Sequence, residues 1–261
     1  FFEKYLETFE HWHNAGWGVS AFDWRGQSGS GRLTPNAHVG HIDDFKSWVD
    51  DLAAFWADWT QATPGPHVIM GHSMGGHIVL RALVEKRIAP DAYVLVAPML
   101  GFNTPTFMAP VVEKMAKWCK PTTAAWPENE KPTLPYSSRQ KLLTFEDARY
   151  ADELWWREQK PELVMGPPSW QWLAAANRSI DALLVPGGLE ALNCPSLILA
   201  TTGDKLVSPS KIQLCAARIK DVELVRFDKT VAHEILRERD GPRGYALQKI
   251  DALLAQVSSA L

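Results

Sequence analysis

Apolar positions along this chain follow two rhythms, one helical and one continuous, and they alternate. Phe2, Leu6, Phe9 and Trp12 or His13 recur at helical spacing, and Asn14-Ala15-Gly16 supplies a stop. Trp17 to Trp24 then predicts a strand, and Arg25 to Gly40 a loop of glycine, serine and proline. Ile42, Phe45, Val49, Leu52, Phe55, Trp56 and Trp59 recur three or four residues apart. They predict an amphipathic helix with Asp43 and Asp44 in its first turn, where the helix dipole favours negative charge. Pro64-Gly65-Pro66 ends it. His67 to Gly71 predicts a short strand, Met74 to Lys86 a helix, and Tyr93 to Ala97 a strand apolar enough to be buried on both faces. The same alternation resumes with a strand at Ser196 to Ala200 and a helix at Ser210 to Ile219. A strand at Val222 to Phe227 and a closing helix over Pro242 to Val257 complete it.

Strand and helix in alternation imply parallel pairing with helices on both faces, an α/β fold with five strands in this reading. One stretch interrupts it. From Gly101 to Leu192 strand signal is scarce, prolines are frequent, and helices are expected near Val111–Trp118, Phe145–Trp156 and Trp170–Ala176. Six of the twelve tryptophans fall there, at positions 118, 126, 155, 156, 170 and 172, so the stretch is expected to have its own apolar surface to place. The expected organisation is a core in two parts, residues 1–100 and 193–261, with a helical cap inserted over 101–192.

Composition narrows the function classes. At 46% hydrophobic and 22% charged residues the chain has an ordinary globular make-up, and its 261 residues suffice for a large core. A net charge of -3 argues against a general nucleic-acid binder, which needs a basic surface to displace counterions. No run reaches the length of a membrane span. The three cysteines, Cys119, Cys194 and Cys215, match neither a disulfide framework nor a metal signature and read as small apolar residues in a reducing compartment. A cytoplasmic location follows, with room for contact at a membrane surface. The opening residues read as helix rather than leader, which leaves what precedes Phe1 open.

The chemistry concentrates in three places. Gly71-His72-Ser73-Met74-Gly75 is G-x-S-x-G between a predicted strand and a predicted helix. That context makes Ser73 a candidate nucleophile on a strained turn, with glycines where the backbone must pack closely. The turn also puts it at a helix N-terminus, where the Met74 N–H is a candidate oxyanion donor. A serine needs a base, and in such folds acid and then histidine follow the nucleophile. Asp204, in Thr202-Gly203-Asp204, lies beyond one strand, and His233 follows the next. His233 is the candidate base and Asp204 the group that orients it. Asp228 is the substitute acid, and Pro98-Met99-Leu100 offers no carboxylate after the middle strand. His77, inside the helix after Ser73, reads as structural.

Other constellations carry less. His11/His13 and His38/His41 lack a supporting carboxylate or cysteine pattern for metal. His233-Glu234 is not a zinc helix, because position 237 is Arg. Gly26, Gly29 and Gly31 lack the Walker lysine and the dinucleotide spacing. Neither a metal nor an organic cofactor is expected.

With these residues in view, the chain resembles the α/β-hydrolase superfamily. More narrowly, it is similar to the bacterial lysophospholipase and monoacylglycerol lipase branch, grouped with serine aminopeptidases in the hydrolase-4 class. The resemblance rests on Asp23-Trp24-Arg25-Gly26-Gln27-Ser28-Gly29-Ser30, on Gly-His-Ser-Met-Gly-Gly at 71–76, on Thr-Gly-Asp at 202–204 and on Ala-His-Glu at 232–234. Ser28 stands where the family has its second glycine. The resemblance implies a small acyl ester as substrate, expected to be a lipid, cleaved through an acyl-enzyme. It also implies that the family's first strands, and a His-Gly loop donating the second oxyanion N–H, lie upstream of Phe1. An aminopeptidase of the same fold would need carboxylates for a free amine, and Glu128, Glu130, Glu146, Asp147, Asp152, Glu153 and Glu158 are available. A short-chain carboxylesterase is a further alternative. A non-catalytic relative would lose a triad member, and none is lost. Dehalogenases and epoxide hydrolases carry Asp where this chain has Ser73.

Overall fold

A computed structural model describes residues 1–104, 108–127 and 139–259. Its helices, in chain order, are α1 (Leu6–Asn14, after a 3-10 turn at Phe2–Tyr5), α2 (Lys46–Ala62), α3 (Met74–Val84), α4 (Met108–Trp118), α5 (Gln140–Leu143), α6 (Asp147–Gln159), α7 (Trp170–Leu183), α8 (Pro209–Ala216) and α9 (Asp240–Ser258). The strands are β1 (Val68–His72), β2 (Ala92–Val96), β3 (Ser196–Thr201) and β4 (Val222–Phe227). They form one sheet in the order β1-β2-β3-β4, every neighbouring pair parallel.

Parallel pairing requires long returns, and the helices between the strands supply them. β2 and β3 are buried along their whole length, as their largely apolar sequence requires, whereas β4 exposes Glu223 and Arg226 while burying Val225 and Phe227. α2 buries Trp48, Val49, Leu52 and Trp56 on one face. Each buried aliphatic or aromatic side chain of this kind contributes about 1.5–3 kcal/mol.

By internal contacts the described chain falls into two compact units. One comprises Phe1–Asp44 with the described parts of Thr106–Lys141 and Glu146–Ala176; the other comprises Phe45–Pro105, Leu142–Phe145 and Asn177–Leu261, and holds the whole sheet. In the first unit, buried Glu153 binds Lys4 at 3.2 Å and Arg139 at 2.7 Å. Arg149 pairs with Glu7, so α6 is tied to the opening turns of the chain. Of the six tryptophans between 101 and 192, Trp118, Trp126 and Trp155 are more than half exposed.

Two expectations need correction. Trp17 to Trp24 is not a strand: it has no ladder partner among the described residues, and a strand exists only by pairing. The sheet of the described residues therefore has four strands, not five. Asp43 and Asp44 are not in the first turn of α2, which starts at Lys46 after Phe45. The Asp43 carbonyl instead accepts from Gln171 Nε2, and its carboxylate lies 3.4 Å from His41 Nε2.

The loop carrying Asp23 to Ser30 is held by its own polar groups. Asp23 Oδ2 accepts from the Gly29 N–H at 3.1 Å, and Ser30 Oγ donates to the Asp23 carbonyl at 2.6 Å. Ser28 adopts a left-handed φ of 44°, a region glycine enters without steric cost. Its hydroxyl, buried, donates to the Leu163 carbonyl at 3.4 Å, so the serine gains a hydrogen bond at a position that glycine would fill with less strain.

Candidate active site

The three candidate residues follow the carboxyl ends of three strands: Ser73 directly after β1, Asp204 after β3, and His233 after β4. This is the edge at which open α/β sheets bind ligands. Each is brought there by a local device.

Ser73 sits at φ 52°, ψ −117°, outside the ordinary regions for a residue with a side chain, and it caps α3. Its N–H donates to the Val96 carbonyl, and its carbonyl accepts from the N–H groups of His77 and Met99. The strain is thus held from both flanks. Two glycines at this turn, Gly71 and Gly76, are required by space. A Cβ on Gly71 would lie 2.6 Å from the Gly76 nitrogen and 2.7 Å from the Gly75 carbonyl, and one on Gly76 would lie 2.9 Å from the Gly71 oxygen. Met74 opens α3, so its N–H lies at the positive end of the helix dipole.

Asp204 and His233 meet. His233 Nδ1 lies 2.6 Å from Asp204 Oδ2, with both side chains buried. A carboxylate here accepts, so Nδ1 carries the proton and Nε2 is left with its lone pair. The other carboxylate oxygen, Oδ1, accepts from the N–H groups of Leu206 at 2.8 Å and Val207 at 3.0 Å. Burial pushes against the charge of Asp204, but the bond and charge of His233, with those two N–H groups, outweigh it and hold its pKa below the ordinary carboxylate range. His233 is also joined to the serine turn. His72, the residue before Ser73, donates from Nε2 to the His233 carbonyl at 3.3 Å, and the two rings lie 4.7 Å apart.

The alternatives are occupied elsewhere. Asp228 is exposed, and its Oδ1 accepts from the N–H and hydroxyl of Thr230. His77 is fully buried, its Nε2 lies 2.6 Å from Ser179 Oγ, and burial together with the charge of Arg81 pushes its pKa down to about 3. Of the carboxylates available for a free amine, Glu146 caps α6 through the Ala148 N–H and Asp147 accepts from Gln140, while Glu153 is taken by Lys4 and Arg139. Glu128 and Glu130 lie outside the described residues. Among the described residues no group of three or more His, Cys, Asp or Glu is placed to hold a metal ion, and no helix is long and apolar enough to cross a membrane.

Several residues around the site carry no motif. The Thr201 hydroxyl lies 2.7 Å from the Val231 carbonyl and 2.9 Å from that of Asp228, and it accepts from the Gly203 N–H. Gly203 in turn packs on the carbonyls of Val231 and Lys229, leaving no room for a side chain. Asn103 donates to the Asp204 carbonyl. The run from Val231 to Glu238 is buried throughout, although four of its eight residues are ionisable.

Residues 2–240 match the family model Hydrolase_4, described as serine aminopeptidase S33. Lysophospholipase L2 of Escherichia coli K12 is 31% identical over 268 residues, covering 95% of this chain and 75% of that protein. Phospholipase YtpA of Bacillus subtilis is 25% identical over 211 residues, covering 80% of this chain and 73% of its own. Among solved structures, the monoacylglycerol lipase of Paleococcus ferrophilus aligns with a TM-score of 0.73 at 20% identity over 97% of this chain and 89% of that one. A soluble variant of the Saccharomyces cerevisiae monoglyceride lipase aligns with a TM-score of 0.69 at 18% identity, covering 90% of this chain and 76% of that one. With a parallel sheet, a serine on a strained strand-to-helix turn and a family match over nearly its whole length, the chain belongs to the Hydrolase_4 family of α/β-hydrolases.

Proposed function

We propose that the protein hydrolyses carboxylic esters of the lysophospholipid or monoacylglycerol class through an acyl-enzyme on Ser73. The observation that carries this reading is the buried Asp204–His233 pair at 2.6 Å, whose tautomer leaves Nε2 as a base at the serine turn. The lysophospholipase and monoacylglycerol lipase similarities favour a lipid ester among ester substrates.

In the first step Ser73 Oγ attacks the ester carbonyl carbon while His233 Nε2 takes the hydroxyl proton. Asp204 stabilises the resulting imidazolium. The carbonyl oxygen becomes the oxyanion, with the Met74 N–H as one donor. Collapse breaks the bond to the alkoxy oxygen, which leaves as an alcohol with the proton from His233. Water then attacks the acyl-enzyme, with His233 again as base, and releases the fatty acid and the free serine. The exposed Trp118, Trp126 and Trp155 suit brief contact with the lipid surface on which such substrates reside.

An acyl-release panel tests the reading. It compares lysophosphatidylcholine, a monoacylglycerol, short nitrophenyl esters and a prolyl amide, each with Ser73→Ala as control. Release of long-chain fatty acid that the substitution abolishes is the expected result, and it also identifies the head group. Turnover restricted to short esters discards the lipid assignment, and cleavage of the amide alone moves the protein to the aminopeptidases.

A further inference from the structure

We infer that Glu238 is a positioning residue for His233, its carboxylate serving as the clasp that closes the histidine loop. The inference rests on the reading of His233 as the base. Glu238 is completely buried. Its Oε1 accepts from the N–H of Ala232 at 2.9 Å and from that of Phe145 at 3.0 Å, and its Oε2 accepts from the N–H of Arg239 at 3.1 Å. The two oxygens of this one carboxyl group thus take three backbone N–H groups at once. A buried polar group of this kind is tolerated only where such donors surround it.

The place of those donors gives the clasp its role. Ala232 is the residue before His233. The His233 N–H itself donates to the Leu142 carbonyl at 3.3 Å, and the Glu234 N–H to the Leu143 carbonyl at 2.8 Å. Thr144 Oγ1 donates to the Arg237 carbonyl at 2.7 Å, and Arg237 pairs with Glu234 inside the same loop. The histidine loop and the segment Leu142–Phe145 are therefore stitched backbone to backbone, and Glu238 is the side chain that binds an N–H on each side of the seam. The imidazole bond to Asp204 depends on where this loop holds the His233 backbone. Loss of the clasp frees the N–H groups of Ala232 and Phe145 together, and a misplaced base slows chemistry without changing how an ester binds.

The test uses the full chain with Glu238→Gln and Glu238→Leu, a short nitrophenyl ester, and proton NMR of the downfield Nδ1–H shared by His233 and Asp204. Gln keeps the volume and one carbonyl acceptor but turns an NH2 toward the Arg239 N–H; Leu removes every acceptor. The expected kcat is about tenfold lower in Gln and about a hundredfold lower in Leu, because displaced reacting groups lose rate steeply. KM stays within about twofold, the mark of an effect on chemistry rather than on binding. The downfield resonance shifts or broadens in the same order. If the Leu variant does not fold, the Gln variant decides. A folded Gln variant with the parental kcat and an unchanged resonance overturns the inference, and so does a fall in rate that comes with a raised KM and an unchanged resonance. Activity that is lost in Ser73→Ala and His233→Ala but intact in the Glu238 variants removes this inference alone. Activity that survives Ser73→Ala or His233→Ala removes the catalytic reading and the inference with it.

Discussion

Among the described residues, serine, histidine and aspartate are grouped in two places, and the backbone settings of the two groups differ. In the sheet-bearing unit Ser73 occupies a strained turn, and the histidine bonded to the adjoining His72 leans on a buried carboxylate. In the other unit Ser169 Oγ lies 2.8 Å from His41 Nδ1, and His41 Nε2 lies 3.4 Å from Asp43. The residue types are the same, but the backbone setting differs. Ser169 is completely buried, and its hydroxyl accepts from the Trp172 N–H, as an N-cap of α7 does. Its N–H and the neighbouring bridge to Gly40 anchor a loop. Asp43 is 79% exposed, so its charge is solvated rather than focused on the imidazole. On the proposed reading, the Ser73 site is marked by backbone strain at the serine and burial of the acid, and the three residue types alone are insufficient.

The sharpest way to break this contrast is to remove each serine. Ser73→Ala should lower ester turnover by about 10⁴- to 10⁶-fold, the scale on which nucleophile removal acts in serine hydrolases. Ser169→Ala should leave turnover within about twofold and cost about 1 kcal/mol of stability, the usual penalty for a lost N-cap. Initial rates together with thermal midpoints decide it. Turnover that collapses with Ser169 and survives loss of Ser73 would reverse the assignment of the two sites.

The acids give the next largest effect. Asp204→Asn presents an amide to Nδ1, which stabilises the wrong imidazole tautomer, and kcat should fall by about 10⁴-fold. Asp43→Asn should leave kcat unchanged. Asp228→Asn should do the same, because that carboxylate is spent on Thr230. A large fall in Asp228→Asn with activity retained in Asp204→Asn would show that the acid had been misassigned.

What could be read from the chain follows the same division. Ser73 is legible as a candidate because its demand is local: of the flanking glycines 71 and 75, Gly71 has no room for a Cβ, and neither has Gly76, one position beyond the G-x-S-x-G pattern. Asp204 is legible as a candidate because chain order limits where an acid can stand once strands are assigned, and its burial distinguishes it from exposed Asp228. The strand expected at Trp17 to Trp24 is absent because residue types that suit pairing say nothing about whether a partner is there. The start of α2 was misjudged because Asp43 and Asp44 have the composition of a first turn, yet the Asp43 groups are used by Gln171 and His41. Glu238 could not be seen at all. Its partners are backbone N–H groups, one of them 93 residues away, and an N–H leaves no signature in residue type. Its neighbours Glu234, Arg237 and Arg239 make it look like part of a solvated charged run.

A third histidine sharpens the contrast by its effect on stability. His77 is as buried as His233 but has a hydroxyl partner where His233 has a carboxylate. Ser179 Oγ takes a hydrogen bond from Arg81 at 2.8 Å, which leaves its own proton for His77 Nε2, so the ring is held neutral. Burial is the largest cause of the fall in its pKa to about 3, with Arg81 adding to it, against an unfolded value of 6.5. The sign follows from proton counting. Between those values the unfolded chain binds a proton that the folded one refuses, so stability is fully present above pH 6.5 and is lost as pH falls. The slope is about 1.4 kcal/mol per pH unit at most. Carboxylates such as Asp204 begin to contribute in the same direction only as their own range is approached, so the window from pH 6.5 to about 4.5 is where the His77 contribution is read, by difference from a variant without the ring. His77→Gln keeps an acceptor for the Ser179 proton without the titration. Thermal midpoints of the parent should fall across that window while those of the variant stay nearly flat. Parallel curves would mean that the folded protein takes up the His77 proton over the same range as the unfolded chain.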